Sequence, residues 1–253
     1  VRNIELINST RDILRAEIAG SKDVTLFRLP GNIGDQLIHA GTKQLLCDMG
    51  VHYVQRHIAE AVTTADGEVA LVGGSGGWCH PHHLMPSLIA PVEERFERTI
   101  VLPSSFDVTE PNVGRWIDGT DSCVMTRDWV SHAQLSSRCK VLMAADGAFF
   151  FDYEPFRRVG IGTLNAFRTD NESRFLSRPS SNVDISCTCS SLDEWLETIS
   201  RSGEVMTDRA HVMIASAMLG KTVGVWESSY HKLGAIADTM GLSAQMHSGG
   251  LPV

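Results

Sequence analysis

Apolar positions along the chain fall alternately into short buried runs and stretches with helical spacing. Ile4, Ile7, Leu14 and Ile18 recur at helical intervals until Gly20-Ser21 stops them. A strand over Val24–Leu29 follows, then Pro30-Gly-Asn-Ile-Gly34, then a helix from Asp35 to about Met49 that Gly50 closes. Val51–His57 reads as a strand, and Glu68–Val72 as another that runs directly into Gly73-Gly-Ser-Gly-Gly77. Further on, the pattern predicts a helix over Leu84–Arg98, strands at Thr99–Leu102 and Cys123–Thr126, a helix to about Arg138, and a strand at Val141–Ala144. Such alternation means parallel sheets flanked by helices, an α/β protein whose ligands collect at the carboxyl ends of the strands. The aromatic, turn-rich stretch Ala145–Gly160 reads as a domain junction, giving an N-terminal domain over 1–152 and a C-terminal one over 153–253.

The second half opens with a strand at Gly162–Phe167 and a polar segment, Asn171–Asn182, before a helix at Leu192–Ser200. Its most informative stretch is Glu204–Gly220. A strand, Val205–Thr207, meets Asp208-Arg-Ala-His211, and an almost wholly apolar helix then continues to Gly220. Asp208 or Thr207 is expected to cap that helix, leaving Arg209 and His211 beside its free N–H groups, an arrangement that invites an anion. With hardly any polar face, this helix must be covered nearly all round. A strand to Trp226, a helix at Leu233–Met240 ended by Gly241, and a loose polar tail from Ser243 complete the reading.

Composition narrows the function classes. The 253 residues are 43% apolar, enough for one large core or two small ones. A net charge of −8 argues against nucleic-acid or anionic-membrane surfaces, so an anion site has to be a local pocket. No apolar run is long enough to span a bilayer, and the first residues read as an amphipathic helix and not as a secretion signal. Six cysteines, mostly in apolar or helical contexts, are too few for a disulfide scaffold and point to reduced thiols and a cytoplasmic setting.

Several motifs, taken together, resemble the polysaccharide pyruvyltransferases. They are Pro30-Gly-Asn-Ile-Gly-Asp-Gln-Leu-Ile38 with Ala40-Gly-Thr42, the glycine loop Gly73–Gly77, Leu102-Pro-Ser-Ser-Phe106, Thr126-Arg-Asp128 with Ser131, Asp146 before an aromatic run, Phe167-Arg-Thr-Asp170 with Glu172, and Thr207-Asp-Arg-Ala-His211. The family usually carries Leu where Ala210 stands. The resemblance covers roughly Val24–Lys232. It implies two Rossmann-like lobes facing each other, GT-B-like, with phosphoenolpyruvate as donor and a pyruvate ketal on a saccharide as product. The acceptor would belong to an exopolysaccharide or cell-wall polymer, lipid-linked or free, and would approach from the first lobe.

Under that resemblance His211 is the candidate acid for the donor methylene, and Arg168 and Arg209 are candidate clamps for its two anionic groups. Arg168 reads equally as a salt bridge to Asp170 or Glu172, and Arg127 as one to Asp128 beside a helix cap. Asp35 is either the base for an acceptor hydroxyl or a helix cap. Asn32, Gly34, Gly74, Ser75, Gly76 and His80 are the remaining candidates for substrate contact, with His82 and His83 near the acceptor. No G-x-G-x-x-G spacing and no Walker lysine occurs, so neither nicotinamide nor nucleotide triphosphate is expected, and no cofactor. Cys79, His80, His82 and His83 are too close in sequence to converge readily, and Cys187-Thr-Cys189 has strand-like spacing, so no metal is expected. Gly73-Gly-Ser75-Gly-Gly77 formally fits a nucleophile elbow, which keeps a serine hydrolase, with Asp146 or Asp208 and His211 or His231, as a rival. An inactive saccharide-binding relic is the other.

Overall fold

The structure is a computed structural model that describes residues 3–62, 66–228 and 230–251. Its strands are β1 (Val24–Arg28), β2 (Val54–His57), β3 (Gly67–Val72), β4 (Phe96–Ser104), β5 (Cys123–Thr126), β6 (Val141–Met143), β7 (Thr163–Ala166), β8 (Glu204–Thr207), β9 (Thr222–Trp226) and β10 (Gln245–His247). The helices are α1 (Ile4–Glu17), α2 (Ile33–Asp48), α3 (Met85–Glu93), α4 (Pro111–Gly119), α5 (Trp129–Leu135), α6 (Ile185–Thr188), α7 (Leu192–Ser200), α8 (Ala210–Met218) and α9 (Lys232–Met240).

The chain divides into two compact units, each with its own sheet. Ile4–Pro30 and Ile38–Phe150 hold a six-stranded sheet of order β2-β1-β3-β4-β5-β6, parallel throughout. Burial on both faces explains the unbroken apolar runs of β1, β3 and β5. The strand order reverses between β1 and β3, and the glycine loop leaves β3 at that switch point, where Gly73 N–H donates to Phe27 O at 3.0 Å. The other unit is Phe151 onward together with Asn3 and Gly31–Leu37. Its sheet, β10-β9-β8-β7, is also parallel and follows chain order without a reversal. Gly31–Leu37, which includes the start of α2, groups with the C-terminal unit.

Three segments differ from the periodicity reading. Residues 96–98 leave the expected helix because Phe96 and Arg98 pair with Gly67 and Val69 of β3. Helix α4 is hidden in the sequence by its two glycines. Gly114 is needed there, since a Cβ would stand 2.9 Å from Val108 O. The tail is not loose over Gln245–His247: it forms β10, His247 stacks on Trp226 at 4.2 Å, and the Trp226 indole donates to Gly250 O at 3.1 Å. Pro252 and Val253 lie outside the described residues. Cys187 sits in the short helix α6 with Cys189 as its C-cap, not in a strand, and all six cysteines are free. Among the described residues no helix is long and apolar enough to cross a membrane.

Candidate functional site

The apolar face of α8 fixes the site. Ala210, Val212, Met213, Ile214, Ala215 and Ser216 are all buried, so the helix start cannot shift without unpacking the unit. The N-cap residue is Arg209, in place of the expected Asp208 or Thr207, and its side chain makes no capping hydrogen bond. Thr207 does not reach the helix; its hydroxyl donates to Ala166 O at 2.8 Å and accepts the Arg209 N–H at 3.0 Å. Asp208 turns the other way and accepts the Arg168 N–H at 2.7 Å. The ends of β7 and β8 are thereby tied together, and each delivers an arginine.

Both guanidinium groups are buried and paired. Arg168 grips Asp170 through two contacts of 2.7 and 3.0 Å, and its third nitrogen meets Glu172. Arg209 holds Asp184 in a fork of 2.7 and 2.6 Å and reaches Asp170 at 2.9 Å. Asp170 thus bridges the two arginines, and Lys232 adds a third cation through Glu172 at 3.2 Å. The salt-bridge alternative for Arg168 is the geometry observed, with every side-chain nitrogen used. Arg209 keeps its Nη1 group without a hydrogen-bond partner among the described residues.

Charge balance follows from this wiring. Burial works to raise the carboxyls of Asp170, Glu172 and Asp184, but the surrounding cations outweigh it and hold all three below the ordinary carboxylate range. Asp208 is the opposite case. Burial pushes it up to about 6, against the pull of the Arg168 N–H and both guanidinium groups, and its Oδ2 makes no hydrogen bond. Asp184 and Lys232 escaped sequence reasoning because their partners lie 25 and 60 residues away.

Asn32, Gly34, Asp35 and His211 come together at the start of α2. Asn32 Oδ1 accepts the Gly34 N–H at 2.8 Å, and Asp35 Oδ2 reaches back to the Asn32 N–H at 2.9 Å, a reciprocal capping arrangement. Asp35 is therefore a cap through one oxygen. Its other oxygen, Oδ1, faces His211 Nδ1 at 3.9 Å, too far for a hydrogen bond in this state. Gly34 makes the approach possible, since a Cβ there would lie 3.1 Å from the His211 Cβ and 3.2 Å from its Nδ1.

In the N-terminal unit the glycine loop has a packing rationale of its own. A Cβ at Gly74 would stand 2.5 Å from Pro103 O, so the close neighbour that demands glycine is the protein's own backbone. Ser75 is buried; its hydroxyl accepts the Gly77 N–H at 2.7 Å, and its own N–H donates to Ser104 Oγ at 3.0 Å. Gly76 accepts the Cys79 N–H at 3.2 Å, so the loop bends back on itself. Asp146 forms a buried ion pair with Arg127 at 2.7 Å, which occupies one acid of the hydrolase rival. Asp128 caps α5 by accepting the Ser131 N–H, as the sequence pattern predicts. His80 is exposed and faces Glu110.

Both units carry a parallel α/β sheet, and in the C-terminal one Arg209 and His211 stand at the start of α8, with His211 facing Asp35. The polysaccharide pyruvyl transferase family model matches residues 32–225, and the chain belongs to that family. The crystal structure of a functionally uncharacterized protein from Klebsiella pneumoniae subsp. pneumoniae has a similar fold, with a TM-score of 0.79 and 21% identity over 98% of this chain and 100% of that one. No curated protein matches the chain significantly.

Proposed function

We propose that the protein transfers the pyruvyl group of phosphoenolpyruvate to two hydroxyls of a saccharide, forming a ketal in the cytoplasmic assembly of an exopolysaccharide or cell-wall polymer. The observation that carries this reading is the start of α8, where Arg209 stands at the N-cap without capping the helix through its side chain and His211 faces Asp35. Helix N–H groups and the Nη1 corner of Arg209 suit a phosphate or carboxylate. Arg168 acts through Asp170, which it holds in place so that Asp170 in turn orients Arg209. His211 supplies a proton to the methylene carbon, and a sugar oxygen bonds to the adjacent carbon as phosphate leaves with its oxygen. The second hydroxyl closes the ketal. Of the two hydroxyl protons one replaces the proton drawn from His211, by way of Asp35, and the other leaves with phosphate.

The test is phosphate release from phosphoenolpyruvate with and without saccharide acceptors, beside a thermal-shift panel of phosphoenolpyruvate against nucleotide sugars. Acceptor-dependent release that His211→Gln abolishes supports the reading. A shift with nucleotide sugars alone overturns it, and donor binding without release under any acceptor marks the inactive relic.

A further inference from the structure

Sequence spacing alone does not let Cys79, His80, His82 and His83 all converge on an ion. Cys79 is buried, with its thiol donating to Ser105 O at 3.3 Å. The fold, however, brings a partner from 27 residues away. Glu110, the N-cap residue of α4, stands between two of the histidines, with Oε1 at 3.3 Å from His80 Nδ1 and Oε2 at 3.5 Å from His83 Nδ1. Ligand atoms of His80, His83 and Glu110 all lie within 4.8 Å of one another. His83 Nδ1 is itself buried and makes no hydrogen bond among the described residues, although it faces the carboxylate.

We propose that His80, His83 and Glu110 form a binding site for a divalent transition-metal ion of the zinc type. Bonds of about 2.0–2.1 Å at tetrahedral angles separate neighbouring ligand atoms by roughly 3.3 Å, the length that the edge from His80 Nδ1 to Glu110 Oε1 already has. The remaining edges lie within 4.8 Å and close by a small turn of the Glu110 carboxylate and of His80, which is on the exposed side of the loop. Two imidazole nitrogens and one carboxylate select zinc-like ions over magnesium or calcium, and three protein ligands leave a position for an exchangeable one.

Both arms of the site are held before any ion arrives. Trp78, fully buried, packs on Phe106 at 5.0 Å and Trp116 at 4.4 Å. The Asp107 N–H donates to Trp78 O at 3.3 Å, and the Glu110 N–H donates to Asp107 O at 3.3 Å, so the histidine loop and the turn carrying Glu110 are fastened to each other. An ordinary surface ion pair accounts for one imidazole on a carboxylate. It does not account for a second with a buried, unbonded nitrogen aimed at the other oxygen.

The full-length chain, stripped with chelator and then dialysed against low-micromolar zinc, is expected to retain one ion per chain. Cobalt in the same place is expected to give the visible spectrum of a low-coordinate nitrogen–oxygen site. His80→Ala, a surface change with little bearing on folding, and Glu110→Gln should each weaken zinc at least about tenfold, while His82→Ala retains it. Circular dichroism checks that the variants are folded. The proposal is overturned by wild-type protein that retains no zinc, or by stoichiometric zinc that survives both His80→Ala and Glu110→Gln. These readouts involve no phosphoenolpyruvate, so their outcome is separate from that of the transferase test.

Discussion

Asp208 and Asp170 are neighbours of the same two arginines and are driven in opposite directions. Asp170 is doubly paired and held acidic, whereas Asp208 receives one backbone N–H and is pushed up to about 6 by burial. A carboxyl raised in the folded state contributes stability that is complete below its unfolded value and is lost as pH rises through about 6. The size is on the order of 3 kcal/mol. Urea unfolding of the wild type is therefore expected to show this loss between about pH 4 and pH 7, and Asp208→Asn, which keeps an acceptor for the Arg168 N–H, should flatten it. An unchanged slope in the variant would assign the raised carboxyl elsewhere. Arg168→Met offers a second residue-scale check. It strands Asp170 and Glu172 beside fewer cations, so stability should fall by about 3–5 kcal/mol. Arg168 and Glu172 were legible as a motif in the sequence, but nothing there distinguished an open clamp from a saturated one. Asp170 and Glu172 saturate Arg168 from within the motif, while Lys232 and Asp184, brought in from far along the chain, complete the charge network around it.

At the scale of elements, the first turn of α2 has two duties in one aspartate. Asp35→Asn keeps an acceptor for the Asn32 N–H, and the thermal midpoint should stay within about the effect of 0.5 kcal/mol, while transfer activity falls if the charge facing His211 is used. Asp35→Ala should cost about 1 kcal/mol in addition. Loss of activity in the alanine variant alone would leave Asp35 only as a cap. Gly34→Ala is the complementary probe. Its methyl meets His211 Cβ at 3.1 Å and Asn32 Oδ1 at 3.0 Å, so the imidazole has to move and kcat should drop with little change in donor binding by thermal shift. Both residues were legible from the Pro30-Gly-Asn-Ile-Gly-Asp string as a turn into a helix. Their meeting with α8 was not, because it joins segments more than 170 residues apart. Helix α4 escaped for a local reason: Gly114 and Gly119 lower helix propensity, and close packing on Val108 O makes the first of them necessary.

At the scale of the whole chain, the C-terminal unit concentrates its buried charge at one end of one sheet. Asp170, Glu172 and Asp184 have depressed folded values, so their contribution is present above the unfolded carboxylate range and is lost as pH falls from there through the lower folded values. Combined with Asp208, this predicts that the unit is most stable in mildly acidic solution and opens on stronger acidification. Hydrogen exchange over peptides of α7 and α8, corrected for intrinsic rates, should show protection that rises as pH is lowered toward about 4.5 and then collapses. Protection that climbs steadily with pH over the whole range would contradict it. The sequence by itself determined the α/β class, the strand-to-helix turns and the identity of the buried helix α8, because each depends on local periodicity and on burial that continuous apolar runs require. Only the tertiary structure decided which charges neutralise which, which glycine faces backbone and which faces an imidazole, and that Glu110 meets two histidines. Those are contacts between strand ends and loops remote in the chain, where distance along the sequence carries no information about distance in space.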